Sequence, residues 1–219
     1  MFTQPLMTAL LLLCVPALCS ANLLEFTLAE QKGYDFQAVF NWSDANAKYL
    51  ATAKGVLTTG AAATKKELKL PVSKGSIIER VFFQSYDNDQ LLAFETNNGE
   101  EAMGYVCRIT LVSLKLAWCQ HIPGFNVYPM MSNNALYVGA IGYVASINPA
   151  SGKIIWAHDG LYAKDNTFNI VCPALETDTS IAFYATTGIK KLPVKKMTVD
   201  RKSGKILETV ESQEKAVCL

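Results

Sequence analysis

Short apolar runs, rich in β-branched and aromatic residues, alternate with clusters of Asn, Asp, Ser and Gly along most of this chain. Leu91-Leu92-Ala93-Phe94 precedes Asn97-Asn98-Gly99, and Leu136-Tyr137-Val138 follows Ser132-Asn133-Asn134. Runs of this length between turn residues are typical of strands buried on one or both faces. Beyond the first two dozen residues no segment has a convincing helical pattern. The chain is therefore predicted to be all-β.

The predicted strands fall into antiparallel groups of four. Three regular groups cover about 77–122, 126–160 and 168–212, and residues 23–75 are expected to form a less regular first group, with one strand over Lys48–Thr58. Four-stranded units of this length are typical of propeller blades. We expect a single domain over residues 22–219, built as a propeller-like array of about four four-stranded blades that is incomplete or open.

The regular groups repeat one another in sequence. Gly104-Tyr105-Val106 recurs 38 residues later as Gly142-Tyr143-Val144, and Trp118 recurs as Trp156. A third copy lies 52 residues further on, where Ile147–Ile154 aligns with Val199–Ile206. Repeats of about this period are a signature of propellers.

Residues 1–21 resemble a secretory signal peptide. Leu6–Ala21 is nearly all apolar, and Cys19-Ser20-Ala21 offers small residues for cleavage near Ala21. The alternative is a retained N-terminal anchor, because the segment before the apolar run has no Lys or Arg. Export predicts a periplasmic or secreted protein.

Four cysteines remain after cleavage, and two disulfides are expected in an exported chain. A hairpin centred on Ser113 places Cys107 opposite Cys119, at the spacing a cystine needs. In the next repeat, the hairpin centred on Ser151 has Ala145 and Ala157 at these positions. Cys172 and Cys218 are then left to pair with each other.

The segment Ala135–Trp156 resembles the repeat of quinoprotein-type (PQQ-like) β-propellers. That repeat runs strand, Gly, strand, an Asp/Asn-x-x-x-Gly-Lys turn, and a strand that carries Trp. The resemblance implies that Trp118 and Trp156 dock one blade onto the next. Glu208 stands at the Trp position of the third copy, so docking should weaken or end there, and Leu114 replaces the turn Gly in the first copy.

The resemblance extends to the scaffold and not to the chemistry. Quinoprotein enzymes hold their cofactor against a disulfide of adjacent cysteines and a Ca²⁺ site, and this chain has neither the cysteine pair nor clustered acids. His121 and His158 lie at predicted strand ends without an orienting carboxylate. We expect no catalytic residues, no metal and no cofactor.

The net charge of +1 argues against nucleic acid as a partner. One basic strip stands out, and it contains Lys190, Lys191, Lys195, Lys196, Arg201, Lys202 and Lys205. It is either a solvated edge strand protected by lysines or a contact for an anionic partner, including the surface of a membrane.

The favoured hypothesis is a non-catalytic binding or scaffold module in a periplasmic or cell-envelope assembly. Propeller-like envelope proteins provide the analogy, which is one of fold alone. Exposed edges of an open array make a protein partner or self-association the expected mode of action. The alternatives are a degenerate quinoprotein-type enzyme and a secreted glycan- or surface-binding module.

Overall fold

The computed structural model describes residues 22–23, 26–32, 35–43, 48–52, 55–59, 66–161, 170–175, 177–186 and 194–212. Within them the chain forms 18 strands in four antiparallel sheets, and no helix. The predicted all-β, propeller-like class is thereby confirmed. In this part of the chain there is accordingly no helix long and apolar enough to cross a membrane. The predicted signal peptide lies outside the described residues.

Sheet I is the least regular and has five strands rather than four. It contains β2 (Phe26–Lys32), β3 (Asp35–Ser43), β4 (Lys48–Thr52), β5 (Val56–Thr59) and β6 (Lys66–Lys69), in that order. The single strand expected over Lys48–Thr58 is two strands, because Gly55 has a φ of +79° and its amide donates to the Thr52 carbonyl at 2.8 Å. A glycine with positive φ lets the chain reverse at this point.

The other three sheets follow the chain in order. Sheet II contains β7 (Ile77–Tyr86), β8 (Asp89–Asn97), β9 (Ala102–Thr110) and β10 (Lys115–Ile122), with the short β1 (Asn22–Leu23) added beside β7. Sheet III contains β11 (Tyr128–Ser132), β12 (Ala135–Ala140), β13 (Tyr143–Ile147) and β14 (Ile154–His158). Sheet IV contains β15 (Ile170–Leu175), β16 (Ser180–Thr186), β17 (Val194–Asp200) and β18 (Ile206–Ser212).

Three apolar layers hold the sheets face to face in the order I, II, III, IV. Leu57 and Leu70 pack with Phe94 and Ile109 between sheets I and II. The second layer joins β8 and β9 to β12 and β13, and the third joins Tyr137 and Val144 to sheet IV. Successive residues of a strand point to opposite faces, so inner strands such as β8 are apolar on both sides. Among the described residues no layer joins sheet IV to sheet I, and the array is open.

The last strand of sheets II, III and IV carries a bulge at the same place. The strand register shifts at Ala117 in β10, at Ile155 in β14 and at Leu207 in β18. A bulge of this kind re-aims the side chains that follow it. The next residues are Trp118, Trp156 and Glu208, one in each sheet.

Candidate binding surface

The turn before the last strand has the same internal structure in sheets III and IV. In sheet III the Asn148 side chain accepts the amides of Ala150 (2.9 Å) and Ser151 (3.0 Å), and the Asn148 carbonyl accepts the Gly152 amide (2.8 Å). Local bonds of this type are the reason why Asx residues favour turns.

Sheet IV repeats this turn 52 residues later. Asp200 accepts the amide of Ser203 at 2.7 Å and its hydroxyl at 2.6 Å, and these bonds hold the pKa of Asp200 below its usual value. The Asp200 carbonyl accepts the Gly204 amide at 2.9 Å. Each turn ends at a glycine with positive φ, +73° at Gly152 and +74° at Gly204.

A tryptophan from the preceding sheet lies on each of these glycines. An ideal Cβ built at Gly152 would lie 2.6 Å from Cδ2 of Trp118, and one built at Gly204 would lie 2.5 Å from Cγ of Trp156. Real Cβ atoms essentially never approach so closely, so only glycine fits. The Trp-on-Gly contact therefore joins sheet II to sheet III and sheet III to sheet IV.

Hydrogen bonds fix the orientation of each tryptophan. Nε1–H of Trp118 donates to the Pro149 carbonyl at 2.9 Å, and Nε1–H of Trp156 donates to the Arg201 carbonyl at 2.9 Å. Buried indoles usually need such a partner. The donor comes from the earlier sheet and the acceptor from the later one at both junctions.

A second donor lies two residues after each tryptophan, and sequence reasoning missed it. Gln120 donates through Nε2 to the Gly152 carbonyl at 2.9 Å, and His158 lies with Nε2 at 2.6 Å from the Gly204 carbonyl. A carbonyl can only accept, so the His158 contact requires the proton on Nε2. The signal was present in the sequence, since Gln120 and His158 are also related by the 38-residue repeat. His121, by contrast, is exposed, and its ring meets the Tyr105 ring edge-on.

Leu114 replaces the turn glycine in sheet II and reverses the contact. It has a φ of +48°, which is unusual for leucine, and its side chain is buried in the layer that includes Leu57 and Leu70. At the junction between sheets I and II, the later sheet therefore inserts a leucine side chain. At the other two junctions, the earlier sheet inserts a tryptophan.

No described residue covers the third docking position with a further sheet. Glu208 lies at the place of Trp156, and Val210 lies at the place of His158. Trp156 is 8% exposed, whereas Glu208 is classed with the exposed residues and Val210 is 38% exposed. Every residue of β18 from Ile206 to Glu211 is exposed. Strand β18 therefore presents a candidate binding surface, which we define as the face that carries Glu208 and Val210.

The predicted basic strip does not form one surface. Arg201 is only 9% exposed, and its guanidinium lies over the Tyr137 ring. It donates to the Tyr137 hydroxyl at 2.9 Å and to the carbonyl and hydroxyl of Ser132, both at 3.2 Å.

The lysines of the strip are also divided. Lys195 and Lys196 are successive residues of β17 and so point to opposite faces. Strand β17 pairs with β16 and β18 and is not an edge. Lys202 and Lys205 are exposed, while Lys190 and Lys191 lie outside the described residues.

One buried carboxylate lies between sheets II and III. Glu95 forms an ion pair with Arg80 (Nη1–Oε1 3.2 Å) and accepts the Val127 amide at 2.8 Å. Burial raises the pKa of Glu95, and the attraction of Arg80 opposes that shift. The Arg80 guanidinium also lies 4.9 Å from the centre of the Tyr128 ring. The pair joins the two sheets, because Arg80 Nη1 also donates to the Asn126 side chain at 3.0 Å and Glu95 accepts from Val127.

Cys107 and Cys119 face each other across β9 and β10 and form a disulfide. Ala145 and Ala157 face each other at the equivalent positions of sheet III. Cys172 is also disulfide-bonded, and its predicted partner Cys218 lies outside the described residues. No group of three or more His, Cys, Asp or Glu side chains in the described residues is arranged to hold a metal ion.

Comparison with known proteins gives likeness of fold alone. No family model and no curated protein matches the chain. Among solved structures it is similar to a europium-containing methanol dehydrogenase (10% identity, TM-score 0.47), covering 60% of this chain and 24% of that one. It is also similar to BamB from Moraxella catarrhalis (13%, TM-score 0.46), covering 75% and 49%.

A third likeness is to the β-propeller domain of Myceliophteria thermophila Cps50 (8%, TM-score 0.35), covering 77% of this chain and 69% of that one. The chain thus spans about a quarter to a half of the length of the first two proteins. The likeness to these structures is one of scaffold alone.

Proposed function

We propose that this protein is an exported, non-catalytic binding module that contributes propeller-type sheets to an assembly with another protein. The observation that carries the proposal is the exposure of β18. In sheets II and III the equivalent strand is covered by the next sheet of the chain, whereas the described residues place no further sheet on sheet IV.

The composition of β18 supports a contact role. Val210 is 38% exposed where sheet III has the half-buried His158, whereas Ile206 (37%) and Leu207 (55%) are about as exposed as Ile154 (37%) and Ile155 (50%) on β14. Its outer edge also pairs with no strand in the described part of the chain. Exposed apolar strands at the edge of a sheet are sites where other chains bind, unless they are protected.

The internal junctions support a structural role for the remainder of the molecule. The layers between sheets are filled with apolar side chains, and the buried Arg201 and Glu95 side chains form hydrogen bonds with the neighbouring sheet. Enzymatic sites place titratable groups in a cleft with perturbed pKa values and open access. Among the described residues, Glu95 lies instead between sheets II and III, and Asp200 is held in a hydrogen-bonded turn.

The decisive experiment compares the molar mass of the purified mature protein with that of the protein in a gentle extract of cells that produce it. Size-exclusion chromatography with light scattering should give one chain for the purified protein at all concentrations. The protein from the extract should elute as a larger and discrete species. The same one-chain mass in both preparations would contradict the proposal.

The proposed location is the periplasm or the extracellular medium. The disulfide between Cys107 and Cys119 supports it, because structural disulfides persist in oxidising compartments. Fractionation with a thiol-reactive label tests the location: labelling of Cys107 in freshly lysed cells would place the protein in a reducing compartment and would contradict export.

A further inference from the structure

The two covered junctions show what a neighbouring sheet offers to the last strand. At each junction the last strand supplies two N–H donors, an indole and a side chain two residues later. The incoming turn supplies two backbone carbonyls, those of Pro149 and Gly152 or those of Arg201 and Gly204. A turn of this repeat therefore accepts hydrogen bonds from the last strand of the sheet on which it docks.

The candidate binding surface has the opposite polarity. The ionised Glu208 carboxylate can only accept hydrogen bonds, and Val210 has no polar side-chain atom. A repeat-type turn would bring carbonyl oxygens against this carboxylate and would leave them without donors. Each buried polar group without a partner costs about 1–3 kcal/mol. Such a turn, including one from a second copy of this chain, is therefore disfavoured.

Of the charged side chains next to β18, Glu208 is the one that a partner bound to this strand would contact. Lys196 shares the face, but its ammonium lies 5.8 Å from the centre of the Tyr184 ring on β16, on the side away from β18. Glu211 lies three residues from Glu208 and so points to the other face of β18. Toward Val210 the surface thus presents one carboxylate beside the Val210 methyl groups, and the exposed Lys205 lies on the other side of Glu208, at the start of the strand.

We propose that this surface docks a turn of a partner protein that directs an Arg or Lys side chain at Glu208 and an apolar side chain at Val210. The inference rests on the proposed function and adds the chemistry of the partner. A hydrogen bond between a cation and a carboxylate is about twice as strong as a neutral one, and opposite charges at an interface also exclude wrong partners. Substitution of Glu for the docking Trp therefore disfavours a further sheet of the repeat type at this position and selects a different neighbour.

The test uses two hairpin peptides as probes. The parent hairpin is residues 144–158 with Ala145→Cys and Ala157→Cys, oxidised to copy the facing cysteines of sheet II. The basic hairpin also carries Ala150→Arg and Ser151→Arg in its turn. Both are labelled and titrated with the full mature protein by fluorescence polarisation at about 0.15 M salt.

The basic hairpin should bind the wild-type protein at least about ten-fold tighter than the parent. Glu208→Lys should abolish this preference, and the matched control Glu211→Lys should leave it unchanged, because Glu211 lies on the other face. The double variant Glu208→Trp with Val210→His restores the two donors and should bind the parent hairpin more tightly than the wild-type protein does.

The proposal is overturned if neither hairpin binds the wild-type protein, if the two bind equally, or if the preference survives Glu208→Lys. Failure of the double variant to take the parent hairpin would overturn the donor–acceptor argument. These outcomes are distinct from failure of the binding role itself: a larger native assembly that persists in Glu208→Lys cells would keep the role and remove this surface from it.

Discussion

Gly204 lies against the indole ring of Trp156, although the two residues belong to different sheets. A Cβ at Gly204 would lie 2.5 Å from Trp156 Cγ, and the Gly204 φ of +74° is one that other residues adopt at a cost. The glycine of the turn motif is therefore required both for its conformation and for the space it leaves. Gly152 and Trp118 repeat the relationship one sheet earlier.

The first prediction separates these two requirements. Gly204→Ala should lower the free energy of unfolding by about 2–5 kcal/mol, from backbone strain of roughly 1–2 and overpacking of roughly 1–3. The matched control is Gly160→Ala, because Gly160 has a similar φ of +69° but nothing within 4 Å of its Cβ. Gly160→Ala should cost only the strain. Equal losses for the two variants in urea denaturation would contradict the close packing of Trp156 on Gly204.

The second prediction concerns the buried Arg201. Arg201→Met removes the donors that reach Tyr137 and Ser132 and should destabilise the protein by about 3–5 kcal/mol. The neighbouring Lys202 is exposed, so Lys202→Met should change stability by no more than about 0.5 kcal/mol. Urea denaturation of both variants checks this. Similar losses of unfolding free energy in the two variants would mean that Arg201 contributes no more than an exposed surface charge.

The third prediction is a pH dependence at Glu95. Burial raises its pKa in the folded protein above the value in the unfolded chain, so the folded state binds the proton more tightly. The contribution of Glu95 to stability is then greatest below the unfolded pKa of about 4.3 and is lost as pH rises through the higher folded pKa.

Glu95→Gln removes this titration. The unfolding free energy of the wild-type protein should therefore fall relative to that of Glu95→Gln as pH rises from about 4. Loss of the partner of Arg80 adds a constant offset and no slope. Glu100→Gln, at an exposed carboxylate, serves as the control. A wild-type stability that rises relative to Glu95→Gln over the same range would show that the ion pair outweighs burial.

The fourth prediction tests how much the Cys107–Cys119 disulfide of sheet II contributes to stability. Replacing Cys107 and Cys119 together by Ala copies the residues that occupy these positions in sheet III. In the chain-entropy model a loop closed over a separation of 12 residues is worth about 3 kcal/mol. We expect a loss of that size in urea denaturation under oxidising conditions. A loss below about 1 kcal/mol would mean that the pair contributes little beyond packing.

Features set by neighbouring residues in the chain could be predicted from the sequence. The hairpins centred on Ser113 and Ser151 place Trp118 opposite Arg108 and Trp156 opposite Ser146, as the strand register has them. A short turn fixes the register of its hairpin locally. The repeat in the sequence was therefore sufficient to predict which residues face each other across these strands. The uncovered position of Glu208 was also predictable, since it interrupts a series of tryptophans.

Features set by contact between sheets could not be predicted. Arg201 was grouped with nearby lysines, yet it is buried because Tyr137 and Ser132 of sheet III surround it. The role of Glu95 likewise depends on Val127, which lies just before β11, in the connection that leads into sheet III. No local pattern marks such groups, because their partners lie tens of residues away in the chain.

The most direct test of the account is a double-mutant cycle between Trp156 and Gly204. If the indole occupies the space beside Gly204, Gly204→Ala should cost about 1–3 kcal/mol less in a Trp156→Ala background than in the wild-type protein, because the overpacking is then relieved. The unfolding free energies of the four proteins in urea give this coupling. Additive effects within about 0.5 kcal/mol would contradict the claim that Trp-on-Gly contacts join the sheets.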